Sequence, residues 1–169
     1  MTSIDALDAD LIAALSDDPR ISATELAQRF QVSRNTVHAR LERLSAAGVL
    51  GGFSVRIKLG DIGIPVEAFV DVELAQGALQ AVIDALSELP NVLEVHATTG
   101  RADLMVRIAA TTHEQLQHLL QEMSDIPGVN RSTTHIALST PVPYRIGPLL
   151  KNVTRAVGRG RSGGTDQRR

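Results

Sequence analysis

Apolar residues in the first third of the chain recur at helical spacing, in three runs separated by short polar turns. Leu7, Leu11, Ile12 and Leu15 mark the first run, with Asp5 placed to cap its start and Asp17-Asp18-Pro19 to stop it. Ser22-Ala23-Thr24-Glu25 has the form of a capping box, in which the Ser and Glu side chains satisfy each other's free amides. It opens a second helix carrying Leu26, Ala27 and Phe30. After the turn Gln31-Val32, Ser33 caps a third helix with Val37, Leu41 and Leu44 inward, and Gly48 suits a left-handed end. Residues 49–57 then read as two short alternating strands about Gly51-Gly52, with Phe53 and Arg56 in the second: a small wing.

From Val66 the period changes to two. Val66, Ala68, Val70, Val72 and Leu74 share one face of a strand, and Glu67, Phe69, Asp71 and Glu73 the other. A helix comes next with Leu79, Val82, Ile83, Leu86 and Leu89 before Pro90, then a strand with Leu93, Val95, Ala97 and Thr99 up to Gly100. The grammar repeats: Leu104, Val106 and Ile108 on a strand; Leu116, Leu119, Leu120, Met123 and Ile126 on a helix before Pro127; Ile136 and Leu138 on a last strand. A shift of 37 residues maps the apolar positions of the first helix onto the second, Pro90 onto Pro127 and Val92 onto Val129. Two tandem βαβ units with right-handed crossings make a ferredoxin-like βαββαβ fold, with both helices on one face of a four-stranded antiparallel sheet. The fold class is therefore α+β: an N-terminal winged helix-turn-helix over residues 1–58, a linker at 59–64 and the ferredoxin-like domain at 65–140. Residues 141–169 form an extension. Pro141, Pro143 and Pro148 predict an extended segment there, able to reach a partner subunit, and then a basic tail disordered from about Gly158 onward.

Composition narrows the chemistry. The chain has 169 residues, is 43% hydrophobic and only 2% aromatic, so aliphatic side chains must do the packing. It has no cysteine, which excludes disulfides, thiolate metal sites and a Cys nucleophile. An acidic start and the lack of an apolar run near ~18 residues predict a soluble, cytoplasmic protein with no membrane partner. Net charge is −2, but it is unevenly spread: residues 1–58 are neutral, 59–150 carry −7 and 151–169 carry +5. That division suggests separate jobs for the three parts.

A helix, a tight turn and a second helix is the arrangement that puts its second helix into the DNA major groove. Opposite Val37, Leu41 and Leu44 stand Arg34, Asn35, Thr36, His38 and Arg43, with Ser33 at the cap. Arg reads guanine, Asn reads adenine, and Ser or Thr meets phosphate. Any three-helix domain also has polar residues that simply face water; the coincidence of turn, caps and wing favours double-stranded DNA as the partner. Arg40 lies nearer the buried side, where pairing with an acid of the first helix such as Asp8 competes with a phosphate contact. The Arg-rich end (Arg155, Arg159, Arg161, Arg168 and Arg169) reads either as a solubilising tail or as a non-specific phosphate contact.

The five histidines have no metal-ligand spacing, and neither a Ser-His-Asp order, a P-loop nor a dinucleotide fingerprint is present. No cofactor is expected. The uncovered sheet face is expected to carry Glu67, Phe69, Asp71, Glu73, Glu94, His96, Thr98, Met105, Arg107, Thr133 and His135. A half-covered small domain invites a second subunit, and a helix-turn-helix protein needs one to set half-site spacing. In such a dimer the acids opposite Arg107, His96 and His135 would pair across the interface. Dimer strength would then change between about pH 5 and 7, where His charge changes.

Taken together these residues resemble the Lrp/AsnC (leucine-responsive and asparagine-responsive, feast/famine) family of transcriptional regulators over about residues 4–140. The resemblance is carried by Ile4-Asp5-Ala6-Leu7-Asp8, Leu26-Ala27 with Val32-Ser33, Arg40, and Arg43-Leu44. Further on it includes Gly48-Val49-Leu50 leading to Phe53-Ser54, and Pro127-Gly128-Val129. It implies a homodimer joined through the C-terminal sheets, often assembled further into tetramers or octamers. It also implies an amino-acid effector bound between subunits near the turn joining the second and third strands, here Thr99-Gly100-Arg101-Ala102-Asp103. Asp103 would hold an effector ammonium and Arg101 its carboxylate, though Arg101 and Ala102 depart from the family's usual residues. The bland reading is a tight turn whose Asp caps backbone amides. The expected function is a sequence-specific regulator that responds to a small metabolite. The alternatives are a low-specificity architectural protein of the nucleoid and a tetrapyrrole decarboxylase-like enzyme using His96, Arg107 and His135.

Overall fold

The structure, a computed structural model, describes residues 3–52, 54, 55 and 57–155. It divides into two units. One is Met1–Val55 together with the chain from Val142 onward, and the other is Arg56–Pro141.

The first unit contains α1 (Ala6–Asp17), α2 (Ala23–Phe30), α3 (Arg34–Ala46) and, far along the chain, α6 (Gly147–Thr154). Three short-range caps fix where the first three helices begin. Asp5 and Asp8 exchange backbone-to-carboxylate bonds of 3.0 Å; the Ser22 amide donates to the Glu25 carboxylate at 2.8 Å and the Glu25 amide to the Ser22 hydroxyl at 3.2 Å; and Ser33 accepts from the Thr36 amide. Leu7, Leu11, Ala14 and Leu15 of α1 bury against Leu26, Ala27 and Val37 in one apolar cluster. The turn between α2 and α3 passes through Gln31 at φ 56, a left-handed residue that reverses the chain without glycine.

Two expectations fail in this unit. No strand forms among the described residues of 49–57, and Phe53 and Arg56 lie outside those residues. Val55 and Ile57 are exposed, so the alternation has no surface to bury against, and a lone two-stranded ribbon is marginal. The extended segment expected after Pro141 instead leads into α6, where Pro148 occupies the first turn, which tolerates its missing N–H. The tail from residue 156, including the disorder expected beyond Gly158, lies outside the described residues.

The second unit is the doubled βαβ: β1 (Val66–Leu74), α4 (Leu79–Ser87), β2 (Val92–Ala97), β3 (Leu104–Ala110), α5 (His113–Ser124) and β4 (Val129–Ile136). A short 3₁₀ turn, Leu59–Ile62, occupies the expected linker. The sheet order is β2-β3-β1-β4, with every neighbouring pair antiparallel. Val66, Ala68, Val70 and Val72 meet Val82 and Leu86 of α4 and Leu116, Leu119 and Met123 of α5 in a single core. The 37-residue correspondence holds for 82/119 and 86/123, which are buried in both helices. It fails at Leu79, which is the first residue of α4 and half exposed, because α4 starts later than α5.

The strict alternation read for the outer strands is also corrected. Register slips between Val92 and Glu94, so Val92 and Val95 pack on the core while Leu93 is 42% exposed. Leu138 falls beyond β4, and Ile136 is half exposed; Ser132 and Thr134 are the half-buried positions beside Val72 and Val70. No helix among the described residues is long and apolar enough to cross a membrane.

Candidate DNA-binding and effector sites

The start of α3 is set by Ser33, whose hydroxyl accepts the Thr36 amide at 3.0 Å and lies 2.8 Å from the Thr36 hydroxyl. Val37 and Leu44 are fully buried and Leu41 packs against the same cluster, so the helix is fixed in rotation. Arg34, Asn35 and His38 stand exposed at the start of the helix, with Thr36 half buried among them. Glu42, four residues after His38 on the helix's exposed face, was not singled out from the sequence, although i, i+4 spacing marks it. Arg29, exposed at the end of α2 with its guanidinium 5.5 Å from the Phe30 ring centre, was also passed over.

Arg40 and Arg43 behave differently from their neighbours. Arg40 Nη1 donates to Asp5 Oδ2 at 2.7 Å and to Asp8 Oδ1 at 2.8 Å, and its side chain is only 14% exposed. Arg43 Nη2 reaches the other Asp8 oxygen at 2.5 Å, while Asp8 itself is 0% exposed. The ion-pair alternative for Arg40 is thus the geometry adopted, and Arg43 shares it from a more exposed position. Desolvation opposes the charge on both Asp5 and Arg40. Their mutual bonds outweigh it, holding the Asp5 carboxyl below and the Arg40 guanidinium above its ordinary pKa.

In the second unit the turn between β2 and β3 is tied down by its own residues. Thr98 donates its hydroxyl to the Ala102 carbonyl and its amide to the Asp103 carbonyl, and Asp103 Oδ2 accepts the Leu74 amide at 2.7 Å. Gly100 turns the chain at φ 119, which an L side chain rarely adopts. Thr99 and Arg101 are exposed and Ala102 is half buried; Arg101 stands 3.7 Å from Glu73 in a solvated pair. A pocket of about 250 Å³ adjoins the turn, lined by Leu74–Gly77, Leu79, Ala97, Thr98 and Asp103. Of the five turn residues only Asp103 lines it; the β1–α4 segment that does was missed, since only the sheet order brings it beside β3.

The open sheet face carries the residues expected, but its charges pair within the chain rather than waiting for a partner. Arg107 donates to Glu67 at 2.7 Å and stands 3.6 Å from Glu94, and the bond to Glu67 foremost raises its pKa. His96 lies 3.9 Å from Glu94 and His135 3.5 Å from Asp71. The two histidines sit on opposite edge strands, β2 and β4, so they are not neighbours and do not converge on Arg107 in a cleft. Among the described residues no three His, Asp or Glu gather as metal ligands.

A helix-turn-helix head with an exposed helix face, joined to a ferredoxin-like domain with a small pocket, defines a DNA-binding regulator that carries its own ligand-binding module. Residues 4–45 match the AsnC-type helix-turn-helix domain and residues 67–146 the Lrp/AsnC ligand binding domain. The chain belongs to the Lrp/AsnC family of transcriptional regulators. It is 30% identical over 137 residues to the HTH-type transcriptional regulator FL11 of Pyrococcus horikoshii, a match covering 81% of this chain and 91% of that one. The structure of Escherichia coli AsnC superposes with a TM-score of 0.80 at 28% identity, over 87% of this chain and 100% of AsnC. A Neisseria meningitidis transcriptional regulator, solved as a complex with L-Met, superposes at 0.79 with 20% identity, over 87% and 99%. These relatives are named as regulators, not enzymes.

Proposed function

We propose that the protein is a homodimeric, sequence-specific regulator whose α3 reads the major groove through Arg34, Asn35 and His38, with Ser33 and Thr36 on phosphate. The observation that carries this reading is the exposed first turn and a half of α3, held in rotation by Val37 and Leu44. Arg40 is assigned to structure, and Arg43 to both roles. Each base contact is worth about 1–3 kcal/mol, so Arg34→Ala and Asn35→Ala should each weaken operator binding by roughly 5- to 150-fold. Their urea midpoints should match the parent's. Footprinting with these variants checks it; broad cooperative protection unaffected by either change would favour the architectural role instead.

The pocket beside Asp103 is the effector site in this reading, and a free amino acid is the ligand. Its volume, about 250 Å³, falls just under the range of drug-sized sites and suits a small metabolite. Asp103 Oδ2 is occupied by the Leu74 amide, which leaves Oδ1 for an ammonium, while Arg101 is exposed and able to swing onto a carboxylate. The L-Met complex of the Neisseria relative supports the class of ligand. Calorimetry against the common amino acids should find one whose affinity falls at least tenfold in Asp103→Ala; unchanged affinity would move the site elsewhere. Pairing through the open sheet face, where Phe69 and Met105 sit among the charges, gives the dimer, and tetramers or octamers build from it. The protein then works in the cytoplasm, on the nucleoid.

A further inference from the structure

Beyond its first turn α3 presents one narrow outward crest. Successive residues of an α-helix turn by about 100°, so Asn35, Ala39, Glu42 and Ala46 fall within about 60° of one another, opposite the buried Val37 and Leu44. All four are exposed. By the same spacing His38 and Ser45 flank the crest on one side and Arg43 on the other. Ala39 and Ala46 end at a methyl group, so Asn35 and Glu42 are the side chains that project from it. Glu42 is the one acid of α3, and it enters no hydrogen bond or ion pair among the described residues. The guanidiniums of Arg40 and Arg43, its near neighbours in the chain, turn instead to Asp5 and Asp8 at the start of α1.

An unpaired carboxylate on a helix face that meets DNA is repelled by the phosphates unless a base answers it. It accepts hydrogen bonds and has no proton to give. In the major groove guanine and thymine offer it acceptors, adenine an amino group beside the N7 acceptor, and cytosine an amino donor with no acceptor on its own edge. Cytosine is therefore the base that Glu42 fits. A residue of this kind discriminates twice, by attraction at one base and by repulsion at the others. Asn35 suits the N6 and N7 pair of adenine. Glu42 lies seven residues further on, about 10 Å along the helix axis, which spans at most about three base-pair steps.

We infer that Glu42 is a specificity-determining residue, accepting from the N4 amino group of a cytosine within about three base pairs of the adenine that Asn35 reads, and disfavouring duplexes that lack it. The inference rests on α3 as the DNA-reading helix, and the test separates the two. The full chain and its Glu42→Ala, Glu42→Gln and Asn35→Ala variants each select sites from a randomised duplex library. Each is then titrated on the parent's selected site and on a scrambled duplex. The three substitutions are at exposed positions and should melt with the parent. Glu42→Ala should relax the cytosine position alone and cut the ratio of site to scrambled affinity roughly 5- to 150-fold. Glu42→Gln should turn the preference there from cytosine to adenine, because an amide both donates to N7 and accepts from N6. An unchanged motif and ratio in both Glu42 variants, while Asn35→Ala loses its adenine, would overturn the inference and leave α3 standing. Equal tightening on both duplexes by Glu42→Ala would reduce Glu42 to phosphate repulsion and overturn the base contact. A motif untouched by Asn35→Ala as well, or no motif selected by the parent, would sink the α3 reading and this one with it.

Discussion

Arg40→Met is expected to unfold the DNA-binding unit more readily than any substitution on the exposed face of α3, by about 3–5 kcal/mol. The size reflects the groups the change leaves behind. Asp8 is 0% exposed and its two oxygens accept from Arg40, Arg43 and the Asp5 amide. Removing Arg40 strands a buried carboxylate with a single, half-exposed guanidinium on one oxygen, and takes from Asp5 its 2.7 Å partner. Urea unfolding monitored by circular dichroism measures the loss, and a midpoint equal to the parent's would refute it. The pH dependence gives an independent reading. Asp5 is held below its ordinary pKa in the folded chain, so its contribution is present above about pH 4 and is lost as pH falls through the lower folded value. The gap between parent and variant should therefore narrow below about pH 4. DNA binding would fail in Arg40→Met because the reading helix loses its support, whereas Arg34→Ala would fail with the fold intact. That contrast separates a residue that touches DNA from one that aims the helix.

The contrast also bears on what the sequence could reveal. Features fixed by neighbours a few residues apart were legible: the caps at Asp5, Ser22 and Ser33, the apolar stripe of α3, and the 37-residue repeat of the second unit. Features that depend on a distant segment were not. Arg40 sits at the border of the stripe, where only the position of Asp8, 32 residues earlier, decides its role. The slip at Val92 and the half-buried polar positions Ser132 and Thr134 break the alternation that identifies a strand. The packing of α6 on α1 is of the same kind: Ile12, which spacing groups with Leu7, Leu11 and Leu15, instead joins Ala9 and Ala13 on a second apolar face of α1. On the candidate sites, the α3 face could be enumerated from helical spacing, but half the pocket comes from the β1–α4 turn, which only the sheet order places next to Asp103.

The β1–α4 turn also packs against a position where the two repeats differ in consequence. Asn91 corresponds to Gly128 in the 37-residue register, and each comes directly after the proline that ends its helix. Asn91 has room for a side chain, which donates to the Ala109 carbonyl at 2.7 Å. Gly128 has none: its φ is 100, and a Cβ would lie 2.5 Å from the Ala78 Cβ and 3.3 Å from Val82 Cγ2. Its carbonyl accepts the Ala75 amide at 2.8 Å, so the residue cannot retreat without releasing the β1–α4 turn. Gly128→Ala should thus cost roughly 2–4 kcal/mol, combining the disfavoured backbone with overpacking against a buried helix. Ala75 and Gly77 line the pocket, and Ala78 is the next residue along. The same substitution should weaken effector binding even in the folded fraction, whereas Asn91→Ala should lower stability by about 1 kcal/mol and leave the pocket alone. Thermal unfolding paired with calorimetry on both variants distinguishes them. Equal melting temperatures for Gly128→Ala and the parent would mean that the turn can open without cost, and that the close packing of the second repeat against the first does not shape the pocket.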